Sequence, residues 1–470
     1  MSFIVYDLIF LAVFSIFVAV FLYKRRSKLK REMGIMFLYK TQIGVKFIDR
    51  FSKKYEKILK PMQYVVIASG MILMLAVIWI FAEQAYIYVT QFNFLTSQIG
   101  NKFPILVFLP YAPEIFGFSG LLPPLYFTYF IIVYLLIAVP HEFSHGIFAR
   151  LNKIKIHSTG FAFLGPILGA FVEQDDKQMS KAKKFPQMSI LAAGTFANVI
   201  TGIIFLVLFI LLLGSAFHPA GIRFNSYPNS VVNISEIDSQ TGITLGEIEA
   251  IEIVIDDEKF FTTAENLELA MENGIENILA FDDAPAVKAG LRGAIMEFNG
   301  EKITSIEDLS GAIGKAEPGQ TVKIKTAQQE NLVDTNPEIV DYEIVLDERD
   351  GKAYLGVGWS ETSGLKSGGI GYLAKIGYKI KDPFVYYESS WGEFGWFVYY
   401  LLWWIVLASF AVALFNMLPL AILDGGRFFY LAVWGLTGSE KFGRRAFKFM
   451  TWVIVLLLLA LIFRWALGFA

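Results

Sequence analysis

The chain has 470 residues, of which 55% are hydrophobic, 16% aromatic and only 18% charged. With a mean hydropathy of +0.51 it is too apolar for a soluble enzyme of this length and is expected to be an integral membrane protein. The net charge of -2 hides a segregation: residues 24–61 hold 13 Lys and Arg against Glu32, Asp49 and Glu56, whereas residues 232–285 hold 14 Asp and Glu against Lys259 alone, and there is no cysteine. Disulfides and thiolate metal sites are thereby excluded, and a transition metal must take ligands from His, Asp and Glu.

The opening "MSFIVYDLIF" has no positive stretch and no small-residue cleavage site before its apolar run, so the first run is predicted to be a permanent anchor. Runs able to cross about 30 Å of hydrocarbon as helix fall at 3–23, 63–90, 123–147, 187–214, 394–415 and 448–468. A shorter run, "GRFFYLAVWGL", follows a glycine pair and is predicted to be a partial or re-entrant helix. The basic "KRRSKLKR" after the first span assigns residues 24–61 to the cytoplasm and the N-terminus to the outside. Later loops alternate accordingly: 91–122 carries Lys102 and no Arg, whereas 148–186 carries Arg150 and six lysines. The 24–61 segment is expected to face anionic lipid, each charge adding about 1 kcal/mol. Asp7 and Glu83, near the outer ends of their spans, read as interfacial carboxylates.

The third span ends in "IAVPHEFSHGIFARL" (Ile137–Leu151). Ionisable groups at such depth cost about 2.5–3.5 kcal/mol each and need a partner. His141 and His145, four apart, project from one face of a helix and can chelate one ion, while Glu142 stands beside it. Neutral imidazole suits Zn²⁺, and the carboxylate can take a proton from water that the metal acidifies. A catalytic zinc site needs a third protein ligand and an open position.

Residues 215 to about 390 break the hydrophobic pattern with short alternating runs, turns and heavy acidity, and are expected to form a soluble extracytoplasmic domain. Within it, Ala284–Thr326 resembles the PDZ domains of membrane and envelope proteases. The resemblance rests on the Pro-Ala-x-x-Ala-Gly-Leu helix start, the Asn299-Gly300 turn, the "SIEDL" helix entry and the Pro318-Gly319 turn, with Ala294 departing from the usual Asp. It implies that an extended peptide adds as a strand, with Tyr354–Trp359 as the last strand or a carboxylate-holding loop. Residues 222–275 are either an insertion or a degenerate second copy.

The search for a third ligand leads to "FNMLPLAILDGGRFF". The fifth span ends at the depth of the histidines, and Pro419 and Gly425-Gly426 are predicted to break the helix there. Non-helical backbone at membrane depth lines protein or a wet cavity, so an unwound Asp424 suits a ligand. Of the other histidines, His157 reads as interfacial and His218 lies on the opposite side; Arg427 reads as a side chain reaching to the cytosolic interface.

With His-Glu-x-x-His in one span and Asn416-x-x-Pro419-x-x-x-Leu423-Asp424-Gly425 after an extracytoplasmic PDZ-like region, the chain resembles the site-2 protease family of intramembrane zinc metalloproteases. The resemblance covers about 123–215 and 284–437. It implies His141, His145 and Asp424 as ligands of one Zn²⁺ and Glu142 as general base. "AAGTFANVITG" matches the family's Ala-Gly-x-x-x-Asn pattern, with Thr195 where Pro is common, and makes Asn198 a candidate to stabilise the oxyanion or hold the substrate backbone, its alternative being a helix-packing Asn. Phe161–Glu173 corresponds to a membrane-associated hairpin whose edge receives an unwound substrate strand.

The expected fold is a polytopic α-helical membrane protein, of about six spans and a partial helix, with an inserted α/β PDZ-like domain. Its parts are a two-span anchor (1–90), two halves of a catalytic core (123–215 and 393–470) and an extracytoplasmic region (216–390, PDZ about 275–360). The expected function is a cell-membrane zinc endopeptidase cutting transmembrane segments in regulated intramembrane proteolysis. Its partners would be transmembrane protein substrates, peptide termini at the PDZ domain and membrane lipids, with no nucleic acid. The alternative is a non-catalytic, metal-binding PDZ receptor or scaffold.

Overall fold

The computed structural model describes residues 3–32, 36–90, 108–118, 122–245, 248–272, 274–329, 337–359 and 377–467; most of the 91–122 loop lies outside them. A long apolar segment can satisfy its own amides only as a helix. Six helices among the described residues are long and apolar enough to cross a membrane, and the chain is a polytopic membrane protein. Contacts divide it into two units, residues 1–211 with 397–470 and residues 212–396.

The first unit opens with α1 (Phe3–Arg25), then β1 (Leu29–Glu32), β2 (Met36–Thr41), α2 (Ile43–Lys54) and α3 (Glu56–Thr90). The basic segment between the first two spans is therefore structured. Its strands join β3 (Ile156–Leu164) and β4 (Ile167–Gln174) in one antiparallel sheet of order β1-β2-β3-β4. Phe37, Leu38 and Tyr39 of β2 sit opposite Phe163, Ala162 and Phe161, and Gly165, at φ +60°, turns the chain between β3 and β4. Between α3 and β3 lie a short helix, α4 (Ala112–Ile115), and the span α5 (Phe127–Leu151); after β4 come α6 (Asp176–Lys181) and the span α7 (Lys184–Ala216).

The second unit is rich in strands. β5 (Phe217–Arg223) leads to a five-stranded antiparallel sheet of β6 (Asn229–Asn233), β7 (Ser239–Leu245), β8 (Ile248–Ile255), β9 (Glu258–Thr262) and β10 (Asn277–Asp282), ordered β6-β10-β9-β8-β7. Helix α8 (Ala264–Glu272) contributes Leu267 and Ala270 to its core beside Val232, Ile253 and Phe260. Residues 222–275 thus contribute most of a sheet with a core of its own. The chain continues through α9 (Pro285–Lys288), β11 (Ala294–Phe298), β12 (Glu301–Lys302), α10 (Ile306–Gly314), β13 (Thr321–Gln328), β14 (Glu338–Val345), β15 (Asp347–Arg349), β16 (Lys352–Tyr354) and β17 (Val385–Ser389). β14, β13, β11, β5 and β17 form the second sheet, with β12 paired to β11. The turns quoted from the sequence take the required geometry. Asn299 and Gly300 both have positive φ between β11 and β12, Gly319 is at φ +79°, and Ser305 and Asp308 close a capping box on α10.

The chain then returns to the first unit through α11 (Gly392–Asn416), whose later part belongs there, followed by α12 (Asp424–Thr437) and α13 (Glu440–Leu467). The core combines Met74 and Val77 of α3, Ile190 and Ala192 of α7, Met417 of the α11–α12 loop and Phe428 of α12. One detail differs from the sequence expectation. Gly425 and Gly426 do not break a helix; they lie in the first turn of α12, and the break is Met417–Leu423. A Cβ on Gly425 would meet the Met417 carbonyl at 2.4 Å, and one on Gly426 would meet that of Leu420 at 2.1 Å. The pair lets the preceding loop fold tightly over the start of the helix.

Candidate metal centre

One turn of α5 separates His141 and His145, so both rings leave the same face, and their Nε2 atoms come within 3.1 Å. Both residues are 7% exposed. Nδ1–H of His145 donates to the carbonyl of Ile190 at 2.7 Å, which leaves its lone pair on Nε2. On His141, Nδ1 lies 3.0 Å from the side-chain amide of the fully buried Asn198. With Oδ1 turned toward the ring, this imidazole also donates from Nδ1 and presents a lone pair at Nε2. The same turn gives Asn198 Oδ1 a partner, and it has none in the other orientation.

Asp424 reaches the pair from the first turn of α12. Its Oδ2 lies 3.2 Å from His145 Nε2 and 3.5 Å from His141 Nε2. Two lone-pair nitrogens and a carboxylate oxygen then face one another with no donor among them, an arrangement that only a cation or added protons can stabilise. The three separations of 3.1, 3.2 and 3.5 Å bracket the edge of about 3.3 Å expected of a tetrahedron with metal–ligand bonds of roughly 2.0–2.1 Å. His141, His145 and Asp424 could therefore hold one metal ion, and the donor set suits zinc.

The neighbouring helix leaves room for it. A Cβ on Gly194 of α7 would fall 2.4 Å from His145 Nε2 and 2.6 Å from His141 Nε2, so any side chain there would occupy the space before the nitrogens. Glu142 points elsewhere, its Oε2 accepting from the backbone N–H of Val172 in β4 at 3.2 Å. β4 is an edge of its sheet, and the Val172 amide marks the side turned away from β3.

The remaining sequence candidates lie apart from these groups. His157 is 3.5 Å from Asp175, and His218 is beside Glu388 in the second unit. Arg427 donates to Gln187 Oε1 at 2.7 Å. Asp7 differs most from its expected interfacial role. It is 1% exposed, and its carboxylate accepts from the backbone N–H groups of Phe127 (2.9 Å) and Thr128 (2.8 Å), the Thr128 hydroxyl (2.6 Å) and the Tyr111 hydroxyl (2.5 Å). These are the first amides of α5, whose own N-cap, Tyr126, offers no side-chain bond. The first span thus caps the helix that carries His141 and His145. A lone acid in the first span was the available signal, but its partners lie more than a hundred residues away. Gly194 was quoted only as part of a pattern; its role needs α7 placed against the rings.

Comparison with known proteins gives a match to the model of peptidase family M50 over residues 129–461. An uncharacterized protein of Methanocaldococcus jannaschii is 27% identical over 296 residues, covering 63% of this chain and 54% of that protein. The zinc metalloprotease RasP of Shouchella clausii is 24% identical over 214 residues, covering 40% of this chain and 50% of that protein. The chain spans about half the length of these curated relatives.

Proposed function

Since the chain belongs to peptidase family M50, the site-2 protease family, we propose that it is an intramembrane zinc endopeptidase that cleaves peptide bonds within or beside transmembrane segments of other proteins. The observation that carries this reading is the convergence of His141, His145 and Asp424 at 3.1–3.5 Å, with a carboxylate, Glu142, adjacent in sequence but turned away from them. His141, His145 and Asp424 would hold the ion. Zinc, when bound, supplies Lewis acidity to a peptide carbonyl and acidifies water at the site. Glu142 takes the proton of the attacking water and delivers it to the leaving amine. Asn198 and the Ile190 carbonyl fix the ring orientations, so Asn198 acts as a positioning residue.

A helical substrate keeps its carbonyls in hydrogen bonds, so it must unwind before cleavage. The edge of β4, which pairs with no further strand among the described residues, offers an extended segment backbone partners, and the Val172–Glu142 contact puts that edge beside the general base. We read residues from about 275 to 360 as a PDZ-like module, supported by α9, the Asn299-Gly300 turn and the capped α10, that binds peptide termini. The active site then lies near the cytoplasmic face, with this module outside, and the released fragment enters the cytosol.

The test is cleavage of a single-span substrate in detergent by wild type, Glu142→Gln and Asp424→Asn, with bound zinc quantified in each. Glu142→Gln should lose activity by roughly 10²–10⁴-fold and keep its metal; Asp424→Asn should lose both. If wild type binds metal stoichiometrically yet cuts nothing in a broad panel while peptides still bind, the chain is a receptor and not a protease.

A further inference from the structure

A second concave site opens between α12 and the first turns of α13. Its volume is about 540 Å³, and Arg427, Lys441, Arg444, Arg445 and Lys448 line it. The nearby carboxylates are fewer: Glu440 pairs with Arg444 at 2.6 Å, and Asp176 acts on Arg427 from α6. Lys441, Arg445 and Lys448 are exposed and have no ion-pair partner among the described residues. Such a density of like charge is unfavourable unless an anion shares it.

The walls are not uniformly polar. Ala421 and Phe447 also line the cleft, and on the same helix Phe449 and Trp452, four residues beyond Arg445 and Lys448, are 69% and 65% exposed. Cations at the mouth of a cleft, with aromatic side chains running from it along a span, match a molecule that is anionic at one end and apolar at the other. We propose that this cleft binds the headgroup of an anionic phospholipid, whose phosphate is held by the Arg427, Arg445 and Lys448 side and whose acyl chains lie along Phe449 and Trp452, one helical turn beyond Arg445 and Lys448. The shared chemistry with free phosphate is the charge; the apolar track selects the lipid. This inference uses the membrane-spanning character of α13 and is independent of proteolysis.

The full-length protein in a neutral detergent would be titrated with dioctanoyl phosphatidylglycerol, dioctanoyl phosphatidylcholine, glycerol 3-phosphate or inorganic phosphate, counting bound molecules by native mass spectrometry. Phosphatidylglycerol should bind at near one per chain and weaken roughly tenfold or more in Arg445→Gln/Lys448→Gln, as two surface charges contribute. Both positions are exposed, so the variant should fold, which circular dichroism checks. Lys53→Gln/Lys54→Gln, equal in charge loss but in α2, should bind like wild type. Equal binding of phosphatidylcholine, equal binding of inorganic phosphate without lipid, or equal loss in the two double variants would each overturn the proposal.

Discussion

The two ends of α5 each receive a carboxylate from a distant part of the chain, and the two carboxylates do opposite things. At the N-terminal end Asp7 meets four donors: two backbone amides and two hydroxyls. Its charge is matched by the helix end and its oxygens are saturated, so it is a fastening. At the other end Asp424 meets two imidazole nitrogens placed as acceptors by Ile190 and Asn198. Among the described residues that carboxylate faces no donor once both rings present lone pairs, and its surroundings call for a cation. What faces a carboxylate, rather than the carboxylate itself, separates a structural acid from a ligand.

The largest expected effect breaks the metal end by volume alone. Gly194→Ala adds one methyl where the Nε2 atoms converge, and should cut bound zinc by roughly tenfold or more and abolish cleavage. The methyl also crowds both buried rings at 2.4–2.6 Å, and such overpacking outweighs the gain of about 1 kcal/mol in helix propensity, so the melting temperature measured without metal should fall as well. Full zinc occupancy in Gly194→Ala would show that the ion does not sit on the α7 side of the rings.

The fastening end should fail differently. Asp7→Ala strips partners from buried amides and hydroxyls and is expected to cost about 2–4 kcal/mol, seen as a lower melting temperature. The protein that remains folded should keep its zinc. A variant with normal melting and lost zinc would mean that the two ends are not separable, and that Asp7 acts on the site itself.

How much of this was legible depended on whether the partners could be inferred without a fold. The spacing of His141 and His145 is local to one helix, and Asp424 stood out because acids at membrane depth are few. Six spans followed from run length, since hydrocarbon thickness sets it. By contrast Asp7 and Thr128 are 121 positions apart, and α2, β1 and β2 lie in a segment whose basic charge dominated its reading. The pairing of β2 with β3 depends on two strands meeting across 118–126 residues, which no local pattern reports. The glycine pair after Asp424 looked like a helix break because glycine commonly is one. Here the need was for backbone to approach backbone, as the contacts of Gly425 and Gly426 with the preceding loop show.

A smaller effect sharpens the metal end. Asn198→Ala removes the group that orients His141 and should weaken zinc by roughly 10–100-fold, the usual cost of an outer hydrogen-bond partner. Asn198→Asp keeps an acceptor for Nδ1–H and should restore most of the affinity. If both variants bind zinc as wild type does, His141 is positioned by packing alone.

The smallest effect concerns one donor at the fastening end. Burial, and then the neighbouring Asp7 carboxylate, push the Tyr111 phenol well above its ordinary value, so it remains a donor through the neutral range. Tyr111→Phe should cost about 1–2 kcal/mol, less than Asp7→Ala because three donors remain to the carboxylate. The pH dependence has a definite sign. With the folded pKa above the unfolded one, the contribution is complete below about pH 10 and declines above it, where the unfolded chain loses the proton first. The difference in melting temperature between wild type and Tyr111→Phe should therefore be flat from pH 6 to 9. A difference that changed within that window would place a second titrating group at the cap.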